Sequence, residues 1–117
     1  MKLLDHQFIF WNHVFSLTHH AHQRGWLIQP RELTRTEYQQ KKYVEEGKSK
    51  TMQSYHIKGL AIDLNFWKDG AWIKDKKDLQ ELGDYWENLD PLNRWGGNWK
   101  TFYDFPHFER RATEVWG

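Results

Sequence analysis

Leu60-Ala61-Ile62-Asp63-Leu64-Asn65-Phe66 alternates with period two. This predicts a strand with Leu60, Ile62, Leu64 and Phe66 on a core face and Ala61, Asp63 and Asn65 on a polar one. Just beyond it, Asp69-Gly70 is a hairpin turn signal, and Ala71-Trp72-Ile73 is the expected return strand. Just before it, Ser54-Tyr55-His56-Ile57-Lys58-Gly59 reads as the end of a loop spanning residues 48–58.

Outward from that centre the pattern turns helical. From Lys2 to about Arg24, Leu4, Phe8, Trp11 and Phe15 recur at helical spacing with Val14 and Leu17 alongside, leaving Gln7, His13, Ser16 and His20 elsewhere. Gly25 ends that helix, and Trp26-Leu27-Ile28 reads as a short strand closed by Pro30. A second helix is expected over Thr34 to Glu46, with Thr36 and Gln39 as a capping box, Glu37 at the positive end of the dipole and Gly47 at its stop. Leu79, Leu82, Trp86 and Leu89 mark a third helix before Asp90-Pro91, and Pro106 to Glu109 is the last strand candidate. In Arg94-Trp95-Gly96-Gly97-Asn98-Trp99 the paired glycines imply unusual backbone angles or a close backbone approach. Helices mixed with a few short strands predict an α+β fold, in one domain over residues 1–117.

The composition supports that size of core. A chain of 117 residues buries enough surface to fold without staples, and it has no cysteine for disulfides. Eight Trp, seven Phe and five Tyr make up 17% of the chain although mean hydropathy is −0.95, so few residues carry much of the core. Seventeen Lys and Arg against sixteen Asp and Glu leave a net charge of +1, which lacks the broad basic footprint of a duplex-binding protein. No apolar run approaches the roughly 20 residues that span a bilayer, and Asp5 and His6 interrupt the apolar start, so neither a signal peptide nor a membrane span is expected.

Of seven histidines, His6, His13, His19, His20 and His22 fall on the first helix, where a solvated face is expected; His19 and His22 have the spacing of an adventitious metal pair. His56 and His107 differ, because each stands near carboxylates among glycine, proline and aromatic neighbours. Gly59 permits a loop histidine at 56 to fold back toward Asp63, and His107 arrives from the last strand. Two imidazoles and one carboxylate suit zinc and leave a fourth position open, the mark of a catalytic site. Asp104, three residues before His107, is the candidate general base, since Pro106 breaks the alternation that would send the two to opposite faces. The competing reading makes Asp63 and Asp104 turn or strand-end carboxylates, and His56 and His107 hydrogen-bonded structural residues.

Three blocks resemble a known family, the zinc peptidases that include D-alanyl-D-alanine carboxypeptidases and dipeptidases and phage L-alanyl-D-glutamate endolysins. They are Ser54-x-His56-x-x-Gly59-x-Ala61-x-Asp63; Trp95-Gly96-Gly97-x-Trp99-x-x-Phe102-x-Asp104-x-x-His107-Phe108-Glu109; and Arg35-Thr36 with Gln40, Tyr43, Gly47 and Ser49. Together they span roughly residues 31–109. The resemblance implies a short antiparallel sheet with flanking helices, one zinc ion held by His56, Asp63 and His107, and Asp104 as catalytic acid/base where many relatives carry glutamate. It further implies that Arg35 polarises the scissile carbonyl or holds a substrate carboxylate, that Gln40 and Ser54 line the site, and that Glu109 supports a ligand histidine. Trp95 and Trp99 are candidate apolar walls of the cleft; core packing is the competing reading, favoured for Trp99, Phe102 and Phe108.

The implied activity is cleavage of the peptidoglycan stem peptide, at the L-alanyl-D-glutamate bond, by a monomer made in the host cytoplasm and released to the wall by another protein. D-alanyl-D-alanine carboxypeptidase activity is the enzymatic alternative, and a non-catalytic, zinc-stabilised wall-binding module the other. No nucleic-acid or membrane partner is expected.

Overall fold

The computed structural model describes residues 1–49, 51–101 and 103–117; Phe102, expected in the core, lies outside them. Three helices, α1 (Leu3–Gln23), α2 (Glu37–Glu45) and α3 (Lys76–Leu89), accompany five strands, β1 (Leu27–Glu32), β2 (Ala61–Lys68), β3 (Ala71–Ile73), β4 (Asn93–Trp95) and β5 (His107–Arg110). The strands form one antiparallel sheet in the order β1-β2-β5-β4, with β3 paired to the far half of β2. This is the α+β architecture expected from the sequence.

β2 is the axis of the molecule because its alternation gives it a wholly apolar face. Leu60, Ile62, Leu64 and Phe66 are buried against Phe10, Val14, Leu17 and Ala21 of α1 and Leu79, Leu82 and Trp86 of α3. Edge-to-face contacts link Phe10, Trp86, Phe108, Phe66 and Trp26, with successive centroids 5.7–6.0 Å apart. A few large aromatic residues do carry much of the core, as the composition implied. The hairpin to β3 turns at Asp69 and Gly70, both at positive φ (53° and 78°), the pairing that a tight two-residue turn demands.

The register sets up the site. Asp63 lies opposite His107 on β5 and opposite Glu32 on β1, so one row across three strands carries Glu32, Asp63 and His107 on the face turned away from α1 and α3. Ala61 and Glu109 form the next row. On this second face of β2, Ala61 and Asn65 are buried while Asp63 between them stays partly exposed.

Several expectations are corrected. The apolar side chains Leu4, Phe8, Trp11 and Phe15 of α1 are exposed, and the face turned inward carries His6, Phe10, Val14, Leu17 and Ala21. His6 is therefore not on a solvated face; its Nε2 meets Glu114 Oε1 at 2.5 Å and its Nδ1 accepts from Arg110 Nε at 3.0 Å, which satisfies both ring nitrogens in the interior. His20 is half-buried, stacked on Tyr85, whereas His19 and His22 are exposed. Pro30 does not close β1, because at a sheet edge its missing N–H costs no ladder bond; the strand continues to Glu32 through a register shift. α2 begins only at Glu37, where Thr36 Oγ1 accepts from the Gln39 backbone N–H at 3.0 Å.

Candidate metal centre

His56 sits in the turn before β2, tied down by bonds from Gly59 N to His56 O (3.2 Å) and from Leu60 N to Tyr55 O (2.9 Å). Its Nε2 lies 3.2 Å from Asp63 Oδ1, and His107 Nδ1 lies 3.3 Å from the same oxygen. The ligand atoms of His56, Asp63 and His107 all fall within 4.8 Å of one another, a group able to hold a metal ion. Ligands about 2.0–2.2 Å from a tetrahedral zinc are separated from each other by roughly 3.3–3.6 Å; the two measured separations are close to that.

The outer nitrogens make the stronger case. His56 Nδ1 is 3.0 Å from the Leu33 carbonyl, and His107 Nε2 is 2.7 Å from Glu109 Oε1. Each of these partners is an acceptor, so each outer nitrogen carries the proton and the inner nitrogen of a neutral ring turns a lone pair toward Asp63. Three acceptor atoms converging on one point repel one another unless a cation stands among them, so the donor set fits a metal. Without one, protons fill the role. Burial opposes charge on His107, yet hydrogen bonds to Asp63 and Glu109 raise its pKa to about 9. Burial likewise opposes charge on Asp63, and hydrogen bonds from His107 and His56 hold its carboxyl far below the usual carboxylate range.

Asp104 reaches the same point from the β4–β5 loop. Its Oδ2 is 3.9 Å from His107 Nδ1, and burial, reinforced by the Asp63 charge, pushes its carboxyl above the ordinary value. Gly96 allows the loop that carries it to come this close, and Gly97 makes room for the Trp95 ring. A Cβ on Gly96 would stand 2.2 Å from the Asp104 carbonyl oxygen, and a Cβ on Gly97 would stand 2.3 Å from the Trp95 ring. Of the two expected reasons for these glycines, close approach is the one found; neither residue is at positive φ. Asp104 N donates to Gly96 O at 3.1 Å, and His107 N donates to Asp104 O at 3.1 Å, which closes the turn around Pro106.

Arg35 forms the opposite wall. Its Nε donates to Glu32 Oε1 at 2.6 Å, its Nη1 to Gln40 Oε1 at 2.5 Å and to Ser54 Oγ at 3.3 Å, and its guanidinium lies 4.6 Å over the Tyr43 ring. Arg35, Ser54, His56, Asp63, Asp104 and His107 all line one cleft of about 880 Å³. Gln40 and Trp95 do not, and both are corrections to the substrate-contact reading. Each has 0% exposure. Gln40 is enclosed by Arg35, Ser49 and Thr51 and acts by bracing Arg35. Trp95 stacks on Phe108 and donates through Nε1 to Phe105 O at 2.8 Å, a core position. Trp99, expected in the core, is half-buried in the cleft wall with its ring 5.1 Å from that of His107.

The sequence reading missed Glu32. It pairs with Arg35, accepts from Tyr43 Oη at 3.2 Å and stands 3.9 Å from His56 Nδ1. The only signal was its position three residues before Arg35, between the expected first strand and second helix. Glu109 stands where expected, and its second oxygen accepts from Arg111 Nε at 2.9 Å. Among the described residues no helix is long and apolar enough to cross a membrane.

Known proteins can be set beside this geometry. The family model described as D-alanyl-D-alanine carboxypeptidase matches residues 47–110. An L-alanyl-D-glutamate peptidase of a Listeria phage is 35% identical over 88 residues, covering 67% of this chain and 28% of the relative. The peptidoglycan L-alanyl-D-glutamate endopeptidase CwlK of Bacillus subtilis is 40% identical over 67 residues, covering 49% of this chain and 39% of its own. Among solved structures, the Serratia marcescens L-Ala D-Glu endopeptidase ChiX matches with a TM-score of 0.63 and 25% identity, over 74% of this chain and 68% of that one. The chain spans less than half the length of either curated relative.

Proposed function

Since the chain belongs to the D-alanyl-D-alanine carboxypeptidase family of peptidases, we propose that it is a zinc-dependent hydrolase of the peptidoglycan stem peptide, acting on the L-alanyl-D-glutamate bond. The observation that carries this reading is the convergence of His56 Nε2 and His107 Nδ1 on Asp63 Oδ1 with Asp104 alongside, in an open cleft. The choice of bond rests on the Listeria phage and Bacillus subtilis relatives, whose names specify it.

His56, Asp63 and His107 would hold one zinc ion, which when bound supplies a Lewis acid for a carbonyl and lowers the pKa of water. Asp104 takes a proton from water as its oxygen adds to the carbonyl carbon, and returns it to the amine nitrogen as the C–N bond breaks. The raised carboxyl of Asp104 suits a group that must both accept and release that proton. Arg35, fixed by Glu32, Gln40 and Tyr43, presents positive charge toward the carbonyl oxygen or a neighbouring substrate carboxylate. Ser54 lines the same wall. Glu109 fixes the ring orientation of His107. The same reading takes the chain to be made in a host cytoplasm and released to the wall by another protein.

Asp104→Asn tests the reading, because it keeps the shape and removes the base. Hydrolysis of purified peptidoglycan is expected to fall by about 10²–10⁴-fold while zinc stoichiometry is unchanged. Full activity in this variant contradicts the role. The family description favours a second reading, D-alanyl-D-alanine carboxypeptidase. Released termini separate the two: new N-terminal D-glutamate supports the endopeptidase, and free D-alanine the carboxypeptidase.

A further inference from the structure

His107, Glu109 and Arg111 follow one another at the two-residue step of a strand, which sends all three to the metal-site face of β5 and its continuation. Arg111 lies one place past β5, and its backbone N donates to Leu92 O at 2.8 Å, next to the start of β4. The side chains are linked in series. His107 Nε2 lies 2.7 Å from Glu109 Oε1, and the other oxygen of Glu109 accepts from Arg111 Nε at 2.9 Å. Glu109 is buried, so the Arg111 guanidinium is anchored one carboxylate beyond a proposed metal ligand. Nothing in the proposed activity uses it.

Among the described residues, four Lys and Arg side chains line the cleft: Arg31, Arg35, Lys48 and Arg111. They differ in what their N–H groups already do. Arg35 is only 10% exposed, and four of its five N–H groups meet Glu32, Gln40 and Ser54, which leaves one for a carbonyl oxygen and none for a two-point grip. Lys48 is exposed, with Glu46 at 3.8 Å as its nearest ion-pair partner, and Arg31 is exposed without a side-chain hydrogen bond among the described residues. Arg111 combines an anchor with open donors. Its side chain is 44% exposed, only Nε is engaged, and the four N–H groups of its Nη pair have no partner among the described residues.

That arrangement selects a carboxylate. The two Nη groups of a guanidinium match the two oxygens of a carboxylate, and a fork already held at Nε loses less freedom when it binds. The substrate read above offers one. A glutamyl residue has two carboxyl groups and the chain continues through one of them, so the other stays free within a few bonds of the scissile nitrogen, on the side that leaves as the amine.

We propose that Arg111 is a specificity-determining residue whose Nη groups bind the free carboxylate of the D-glutamyl residue, while Arg35 serves the scissile carbonyl. The inference rests on the hydrolase reading and adds to it what the amine side of the cleft recognises. It makes the protein discriminate between a free glutamyl carboxylate and the corresponding carboxamide.

Two synthetic peptides test this: L-alanyl-D-glutamyl-L-lysine with its glutamyl carboxylate free, and the same peptide with that group as the carboxamide. Their kcat/KM values are compared in the unaltered chain, in Arg111→Ala and in Arg111→Lys, and their binding is measured by calorimetry in Asp104→Asn with and without Arg111→Ala. Any effect of Arg111 that passes through Glu109 and His107 acts on both peptides alike and cancels in the ratio; the thermal midpoint is the folding control. The expected result is a preference of about 10–100-fold for the carboxylate in both kcat/KM and binding, abolished in Arg111→Ala and only partly recovered in Arg111→Lys, which keeps the charge and loses the fork. Equal treatment of the two peptides by the unaltered chain overturns the proposal, as does a preference that survives Arg111→Ala. If neither peptide is cleaved and purified peptidoglycan yields free D-alanine, the assigned bond is wrong, and calorimetry still decides on Arg111: a preference lost in Arg111→Ala sustains it, and equal or undetectable binding overturns it.

Discussion

Gly96→Ala separates the placement of Asp104 from the holding of the metal. The added methyl would stand 2.2 Å from the Asp104 carbonyl oxygen, 3.0 Å from its Cβ and 3.1 Å from its carbonyl carbon. The carbonyl contact is about 1 Å short of van der Waals separation, and it involves backbone that no rotamer change can move. The β4–β5 loop must therefore retreat by about that distance, loosening the 3.1 Å bond from Asp104 N to Gly96 O. A misplacement of about 1 Å costs on the order of 10²-fold in rate when the displaced group acts in the chemistry. Overpacking of this kind costs about 1–3 kcal/mol in stability. His56 and Asp63 are anchored on the other side of the cleft, and His107 is held by β2 pairing and by Glu109, so zinc affinity should change by no more than a few fold. The assay is hydrolysis of purified peptidoglycan with zinc stoichiometry on the same samples. Gly117→Ala, a position with nothing within 4 Å of the added methyl and outside the positive-φ glycines, controls for the general effect of replacing a glycine. A Gly96→Ala protein with full activity would refute the placement of Asp104 by Gly96. Loss of zinc and activity together would show that the loop supports the ligands and not only the base.

Two other outcomes follow from the same geometry. Glu109→Gln exchanges the carboxylate that receives the His107 Nε2 proton for an amide, and zinc affinity should fall by about 10–100-fold in a metal titration; unchanged affinity would deny Glu109 that role. In the metal-free protein the folded pKa of His107, about 9, lies above its unfolded value of about 6.5. Its contribution to stability is then complete below about pH 6.5 and is lost as pH rises through 9, while zinc binding requires neutral imidazoles and strengthens over the same window. The gain in thermal midpoint on adding zinc should therefore grow between about pH 6 and pH 9; a gain independent of pH would contradict the assigned ligands.

The parts of the fold legible in the sequence were those where one physical signal acted alone. Alternation over Leu60–Phe66 defined β2, positive-φ residues at Asp69-Gly70 defined the hairpin, and Leu79, Leu82 and Trp86 defined α3. β4 is three residues long, too short for any period to register. α1 was legible as a helix but not in orientation. It carries two apolar stripes, and the one with the larger aromatics is the one the core does not use.

The site divided in the same way. His56, Asp63 and His107 were visible because a bend at Gly59 and strand alternation govern where they point, and the structure brings all three together with Asp104. Gln40 and Trp95 were visible as residues but not as roles, since burial depends on packing partners 5 and 13 positions away, Arg35 and Phe108, respectively. Glu32 went unseen because its function is fixed by register: only the pairing of β1 with β2 places it beside Asp63.

The central claim is that three converging ligand atoms hold a zinc ion on which hydrolysis depends. Zinc content and hydrolysis of purified peptidoglycan, measured on one preparation before chelation, after it and after zinc is restored, test this most directly. The account predicts about one zinc per chain, consistent with the single three-ligand group among the described residues, with activity lost on removal and regained on return. Hydrolysis that persists after complete removal of the metal would contradict it.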